Sequence, residues 1–223
     1  NGWCRWTDKP RVQGCRATHS ANPWASGVAY PALAQARREQ VLTAAADCFR
    51  RRGYHGAGMA EISKTAGMSP GHIYNYFDGK EAIIAGIIEQ NMADLFSLLA
   101  GFAECDGDLV QAMVDGADYG VEKNLNPAYA ALQLEMLSEA ARNDKVATLL
   151  RQADDSMRAQ LKLLLAGPQG SLRTLPDLEV DARIELLASV YNGLLVRAVL
   201  HPQLDRQQLL QALRPWLRQL LAG

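Results

Sequence analysis

Apolar residues along most of this chain recur at three- and four-residue intervals, the period of an amphipathic helix. Val41, Leu42, Ala45, Ala46 and Phe49 share one face of a helix beginning near Ala34. Arg50, Arg51 and Arg52 trail it, and Gly53 is placed as its end. A second helix is expected from Met59 to Ala66, with Ile62 and Ala66 inward and Gly67 as its stop. The chain then turns through Met68. Ser69 suits an N-cap and Pro70 the first helical position, so a short third helix should run to about Phe77. Asp78 and Glu81 have the spacing of a capping box for the next helix. Its stripe of Ile83, Ile84, Ile87, Ile88, Met92, Leu95, Phe96 and Leu99 continues to Gly101. At ~1.5 Å per residue such a helix is roughly 33 Å long, enough to join two domains.

Further helices are expected near 108–124, 127–142, 145–166, 179–200 and 205–221. Asn126-Pro127, Asn143-Asp144, Gly167-Pro168 through Asp177, and His201-Pro202 separate them. No strand-like alternation and no fixed-period repeat occurs. The fold class is therefore all-α: residues 34–80 as a helix-turn-helix domain, 81–223 as a larger helical domain, and 1–33 as an irregular extension. That extension carries Pro10, Pro23 and Pro31 and reads either as disorder or as a basic arm of Arg5, Lys9, Arg11 and Arg16.

The net charge of -1 hides an asymmetry. Residues 1–90 hold 11 Lys/Arg against 7 Asp/Glu, a net +4, and residues 91–223 hold 12 against 17, a net -5. A basic third on an acidic remainder suits a DNA binder. Cys4, Cys15, Cys48 and Cys105 form no Cys-x-x-Cys pair, so no zinc site or disulfide framework is expected. No apolar run was found to approach the ~18 residues of a membrane span, and the first residues carry no secretory pattern. The expected compartment is the cytoplasm, with no membrane partner and no cofactor.

The chemistry concentrates at the third helix. A recognition helix needs small residues where backbone meets phosphate, and Ser69, Pro70 and Gly71 meet that need. His72 and Asn75 supply groove-facing hydrogen-bonding groups, and Ile73 and Phe77 the inward anchor. Tyr76 and Lys80 lie where the helix leaves the groove, placed to donate to phosphate oxygens. Tyr74 fits either core or groove. His19, His55 and His201 form no cluster.

Residues 38–84 resemble the DNA-binding domain of the TetR/AcrR family of bacterial transcriptional repressors. The likeness rests on Val41-Leu42, Ala44-Ala45, Phe49, Gly53-Tyr54, Ile62 and Ala66-Gly67-Met68-Ser69. It continues through Gly71, Ile73-Tyr74, Tyr76-Phe77 and Lys80-Glu81. It implies that Tyr74, Asn75 and Tyr76 contact bases or phosphates and that Lys80 binds phosphate. His72 stands where the family commonly has Thr. The chain departs from the pattern at Ala57-Gly58, where a Ser or Thr usually caps the second helix, and at Ser63, where Ala is usual.

Residues 182–221 resemble the family's last two helices, which build its dimer interface. The implied interface is Tyr191, Leu194, Leu195, Leu213, Trp216, Leu217 and Leu220, with Pro215 expected to kink the last helix. Phe96, Met113, Tyr119, Tyr129, Gln133 and Met136 lie in helices that would enclose a small-molecule effector of hydrophobic character, although Met and aromatic residues at helical spacing are more often plain core. Asp118, Glu122 and Glu135 read as exposed acids or as contacts for a cationic ligand.

The resulting expectation is a homodimeric repressor that binds a palindromic double-stranded operator and is released by the effector. Two alternatives carry different signatures. An all-helical carboxylate-bundle enzyme needs Glu-x-x-His pairs, and the residues three before the four histidines are Arg16, Arg52, Ser69 and Ala198. A helical protein-interaction adaptor would lack the steep salt dependence of phosphate binding.

Overall fold

The computed structural model describes residues 29–104 and 107–223, and the possible basic arm lies outside them. Ten helices and no strand occur among the described residues. Helix α1 is Ala29–Gly56, α2 Met59–Ala66, α3 Pro70–Tyr74 and α4 Lys80–Ala103. Then come α5 Leu109–Asp115, α6 Ala117–Asn124, α7 Pro127–Ala140, α8 Asp144–Ala166, α9 Asp177–Leu200 and α10 Arg206–Leu221.

Two apolar cores organise these helices. The first joins Val41, Ala45 and Phe49 of α1 to Ile62, Ile73, Phe77 and the start of α4. It also takes in Leu132 and Met136 of α7 and Val146 of α8, so the first three helices are seated on the C-terminal domain. The second core joins α5 through α10 around Val121, Leu165, Ile184 and Leu217.

Several boundaries follow from local chemistry. Asn126 caps α7 by accepting from the Ala128 and Tyr129 amides, and Asn143 caps α8 through Lys145 and Val146. The single helix expected over 108–124 is two. At Gly116 a Cβ would stand 2.5 Å from the Phe102 Cζ, so the ring of α4 packs where the chain changes direction. The anticipated capping box is not formed: Gly79 is the N-cap of α4, with no side-chain bond, and Asp78 precedes it, exposed. Helix α10 passes through Pro215 without a break.

Helix α4 corrects the membrane reading of the sequence, because Lys80–Ala103 is by length and composition apolar enough to cross a bilayer. Its N-terminal half is instead core: Ile83, Ile84, Ile87 and Ile88 are buried against α1 and its neighbours. Its apolarity serves the junction between the two domains.

Much of the expected dimer face lies within the subunit. Leu194, Leu195, Leu213 and Leu217 are 2–6 % exposed and belong to the second core. Tyr191, Trp216 and Leu220 are half-buried against the same core. The large apolar side chains of α9 that remain uncovered are Leu178, Leu186, Val196, Val199 and Leu200.

Candidate DNA-binding site

The turn between α2 and α3 is fixed by backbone chemistry. Gly67 adopts φ 65°, ψ 30°, the left-handed conformation that ends a helix. The Met68 amide then donates to the Ser63 carbonyl at 3.0 Å, a Schellman closure. Ser69 is extended, and its hydroxyl accepts from the His72 amide at 3.3 Å. Pro70 occupies the first turn. The helix is shorter than expected: α3 closes at Tyr74, and Asn75 and Tyr76 continue as a turn, with the Tyr76 and Phe77 amides both donating to the Ile73 carbonyl.

This five-residue helix hangs from Ile73 and Phe77, both buried in the first core. Its other face is open. Ser69, Pro70, Gly71, His72, Tyr74 and Asn75 are all exposed. Tyr74, which the sequence left between core and groove, is 51 % exposed and so is not core. A Cβ on Gly71 would meet nothing within 4 Å, so no part of the chain uses the space in front of it.

His72 and Tyr76 form a pair one helical turn apart. Their rings stack with centroids 5.6 Å apart and planes at 14°, and the Tyr76 hydroxyl lies 3.4 Å from His72 Nε2. The stack limits the rotamers of both before any ligand arrives, which lowers the entropic cost of binding.

Lys80 is less available than the sequence indicated. Its Nζ donates to the Tyr54 carbonyl at 2.7 Å and sits 4.2 Å from the Tyr54 ring centroid. Burial, and then the Glu81 carboxylate beside it, push the Tyr54 hydroxyl well above the ordinary phenol range, so it stays protonated. Arg51 pairs with Asp47 at 2.8 Å and Arg52 with Glu61 at 2.8 Å, so part of the trailing basic cluster serves to lock α1 and α2.

Gly58 is the N-cap of α2, extended at φ -85° and ψ 157°, without a side-chain bond. Nothing lies within 4 Å of a Cβ placed there. Gly58→Ser should therefore be accommodated, stabilise the fold by a few tenths of a kcal/mol, and add a hydroxyl on the exposed side of the cap. A rise in the denaturation midpoint together with tighter DNA binding is the expected result. Ser63, the other departure from the resembled pattern, is 2 % exposed and donates to the Met59 carbonyl at 2.8 Å, so its hydroxyl is satisfied.

The junction holding this domain to α7 has no local signature in the sequence. The Tyr54 amide donates to Glu135 Oε1 at 2.7 Å. Glu139, 1 % exposed, has Oε2 at 2.9 Å from His55 Nε2 and 3.6 Å from Arg142 Nε. Its Oε1 accepts from Asn143 Nδ2 at 2.9 Å. Two carboxylates one turn apart on α7 therefore hold the end of α1. Burial of Glu139 was the missing signal, since an acidic residue on a helix reads as solvated from sequence.

The helix-turn-helix geometry agrees with comparison to known proteins. The profile described as "Bacterial regulatory proteins, tetR family" matches residues 41–87. That described as "BetI-type transcriptional repressor, C-terminal" matches residues 121–222. The HTH-type transcriptional regulator UidR of Escherichia coli strain K12 is 30 % identical over 168 residues, covering 73 % of this chain and 81 % of UidR. The chain belongs to the TetR family. BetI of Vibrio parahaemolyticus is 26 % identical over 180 residues, 77 % of this chain and 84 % of BetI. The structure of Salmonella enterica GusR aligns at a TM-score of 0.67 with 28 % identity, over 83 % of this chain and 95 % of GusR. The protein is thus a DNA-binding transcriptional regulator, and family membership sets aside the enzyme and adaptor readings.

The expected effector residues occupy different places in this TetR-family regulator. Met113 lies in the second core and Met136 in the first, under the DNA-binding domain. Phe96 is half-buried on α4. Tyr119 and Tyr129 converge on Lys123, which the sequence reading missed: its Nζ lies 5.6 and 5.2 Å from their ring centroids. Gln133 follows Tyr129 by one turn on α7.

Proposed function

We propose that this regulator is a cytoplasmic homodimeric repressor that reads a palindromic operator with α3 and leaves it when a small effector occupies the C-terminal domain. The observation carrying this reading is the open face of α3, anchored on one side by Ile73 and Phe77 and presenting His72, Tyr74 and Asn75 on the other. Ser69 to Gly71 bring the backbone to the phosphates, His72 and Asn75 read base edges, and Tyr74 and Tyr76 contact bases or phosphates. Lys80 adds positive charge beside the groove while holding Tyr54.

A single α3 reads one half-site. Two copies related by a two-fold axis place two such helices about 34–36 Å apart on one face of the duplex. The uncovered face of α9 supplies the seam for the second copy. Leu186, Ser189, Gly193, Val196 and Leu200 follow one another at alternating spacings of three and four, the repeat of packed helix pairs. A Cβ at Gly193 would meet nothing within the subunit, so two α9 helices can approach closely there.

The effector acts through two elements. Helix α4 runs from the second core to Lys80 at the base of the reading helix, and α7 runs from Tyr129 and Gln133 to Glu135 and Glu139, which hold Tyr54 and His55. An effector that binds one arrangement of these helices better than the other shifts the spacing of the two α3 helices.

Selection from a random-sequence duplex library should return a palindrome with half-sites one helical turn apart. On that duplex His72→Ala or Tyr76→Ala should each weaken binding by about 1–3 kcal/mol while leaving the melting temperature near that of the parent. Recovery of no enriched sequence, or unchanged affinity of both variants, would overturn the assignment of α3.

A further inference from the structure

We infer that Lys123, Tyr119, Tyr129 and Gln133 form a recognition site for a carboxylate on the effector. The inference rests on the effector-released reading above and names the chemistry that effector must carry.

Tyr119 and Lys123 are one turn apart on α6, and Tyr129 and Gln133 are one turn apart on α7, so each pair lies on one face of its helix. Lys123 Nζ is held between the two phenol rings and donates to the Tyr119 hydroxyl only at the long distance of 3.5 Å. Among the described residues no carboxylate lies within ion-pair distance of it. Burial pulls its pKa down, and the Asp94 charge on α4 pulls the other way. Both tyrosines are pushed up, first by burial, so both keep their protons and can donate. Gln133 Nε2 is buried with no acceptor. Tyr191 walls the cluster from α9: a Cβ at Gly120 would stand 2.3 Å from its Cε1, so the ring lies flush on α6 between Tyr119 and Lys123 in sequence.

The inventory is one-sided. An ammonium, two phenol hydroxyls and an orphaned amide all offer protons, and nothing in contact takes the charge. A buried donor without a partner, as Gln133 Nε2 is, is costly and is satisfied by an acceptor-rich anion. A carboxylate offers two oxygens with lone pairs for several donors at once. It would also compete with Asp94 on α4 for the charge of Lys123. The rings on either side fit an apolar or planar body next to the carboxylate.

The test uses the full chain and matched pairs of probes: benzoate with benzamide, phenylacetate with phenylacetamide, and decanoate with decanamide, with benzyltrimethylammonium as a cationic probe. Binding is followed by thermal shift and calorimetry. At least one carboxylate should bind while its amide and the cation bind more weakly. Lys123→Met should lower that carboxylate's affinity by ~10- to 100-fold, with little change for the amide. Gln133→Leu provides a second variant should the first fail to fold, as judged by circular dichroism, and should also weaken the carboxylate. The inference is overturned if no carboxylate binds, if amides or the cation bind equally well, or if both folded variants keep the preference. Duplex binding by the unliganded protein is measured separately. Its failure would count against the regulator reading, whereas a carboxylate preference absent from a DNA-binding protein would count against this site alone.

Discussion

A Val196→Glu protein is expected to be folded, to have half the mass of the parent assembly in light scattering, and to bind a palindromic duplex at least ~100-fold more weakly. Val196 is 46 % exposed in the subunit, between Gly193 and Leu200 on the uncovered seam of α9. A carboxylate there costs the isolated subunit little, because water reaches it. In the proposed dimer it would face its own symmetry copy, so two like charges would be buried together in an apolar seam. Loss of the dimer separates the two α3 helices, and the second half-site no longer binds at high effective concentration. Leu217→Glu is the contrasting change. Leu217 is 2 % exposed inside the second core, so a charge there should unfold the subunit rather than split a pair. A Val196→Glu protein that stays dimeric would place the interface elsewhere, and a folded Leu217→Glu monomer would restore the face first expected from sequence.

The difference between those two residues shows where sequence reading reached its limit. Helix α9 carries apolar residues around most of its circumference, including Ile184, Leu186, Leu187, Leu194, Leu195 and Val199. Periodicity locates an apolar face only when the opposite face is polar. With two apolar faces, the choice between inside and outside depends on how α6, α7 and α10 arrive, and no local pattern encodes that. By contrast, the α2–turn–α3 unit was legible almost residue by residue. Its signals are local: a left-handed glycine at 67, a serine cap at 69, a proline in the first turn, and two apolar anchors at 73 and 77. The end of α3 was less legible, because Asn75 and Tyr76 continue helical φ/ψ only as a turn closed on Ile73.

Charged residues were the harder part of the site. Lys123 and Glu139 sit on helices at positions where a charge is normally solvated, and nothing near them in sequence marks burial. Glu139 gains its partners from His55, distant in sequence, and from Arg142 and Asn143 just beyond it. Lys123 gains its surroundings from Tyr119 on its own helix and Tyr129 on the next. Both sites are created by the packing of α7, which, like α4 and α8, contributes residues to both cores. That is why the same helix is placed to carry information between them.

Gly53→Ala tests that connection directly. Gly53 breaks α1 at φ 71°, ψ 167°, a conformation that costs a residue with a Cβ ~1–3 kcal/mol. The added methyl would also stand 3.1 Å from Glu135 Oε1, the atom that accepts from the Tyr54 amide. Global stability should fall by that amount, or ~3–10 °C in melting temperature for a chain of this size. The backbone strain and the clash with Glu135 can be separated. Glu135→Ala alone removes the acceptor and leaves the Tyr54 amide unpaired, at a cost of about 1–3 kcal/mol. If the methyl acts partly by pushing Glu135 away, the double variant should be less destabilised than the sum of the two single changes. Additive losses would mean that the strain at Gly53 is local to α1. The same variants should bind the selected duplex with a weakened response to effector, if the grip of α7 on Tyr54 is one of the two routes between the domains, as proposed. Normal release by effector in a folded Glu135→Ala protein would leave α4 as the sole route.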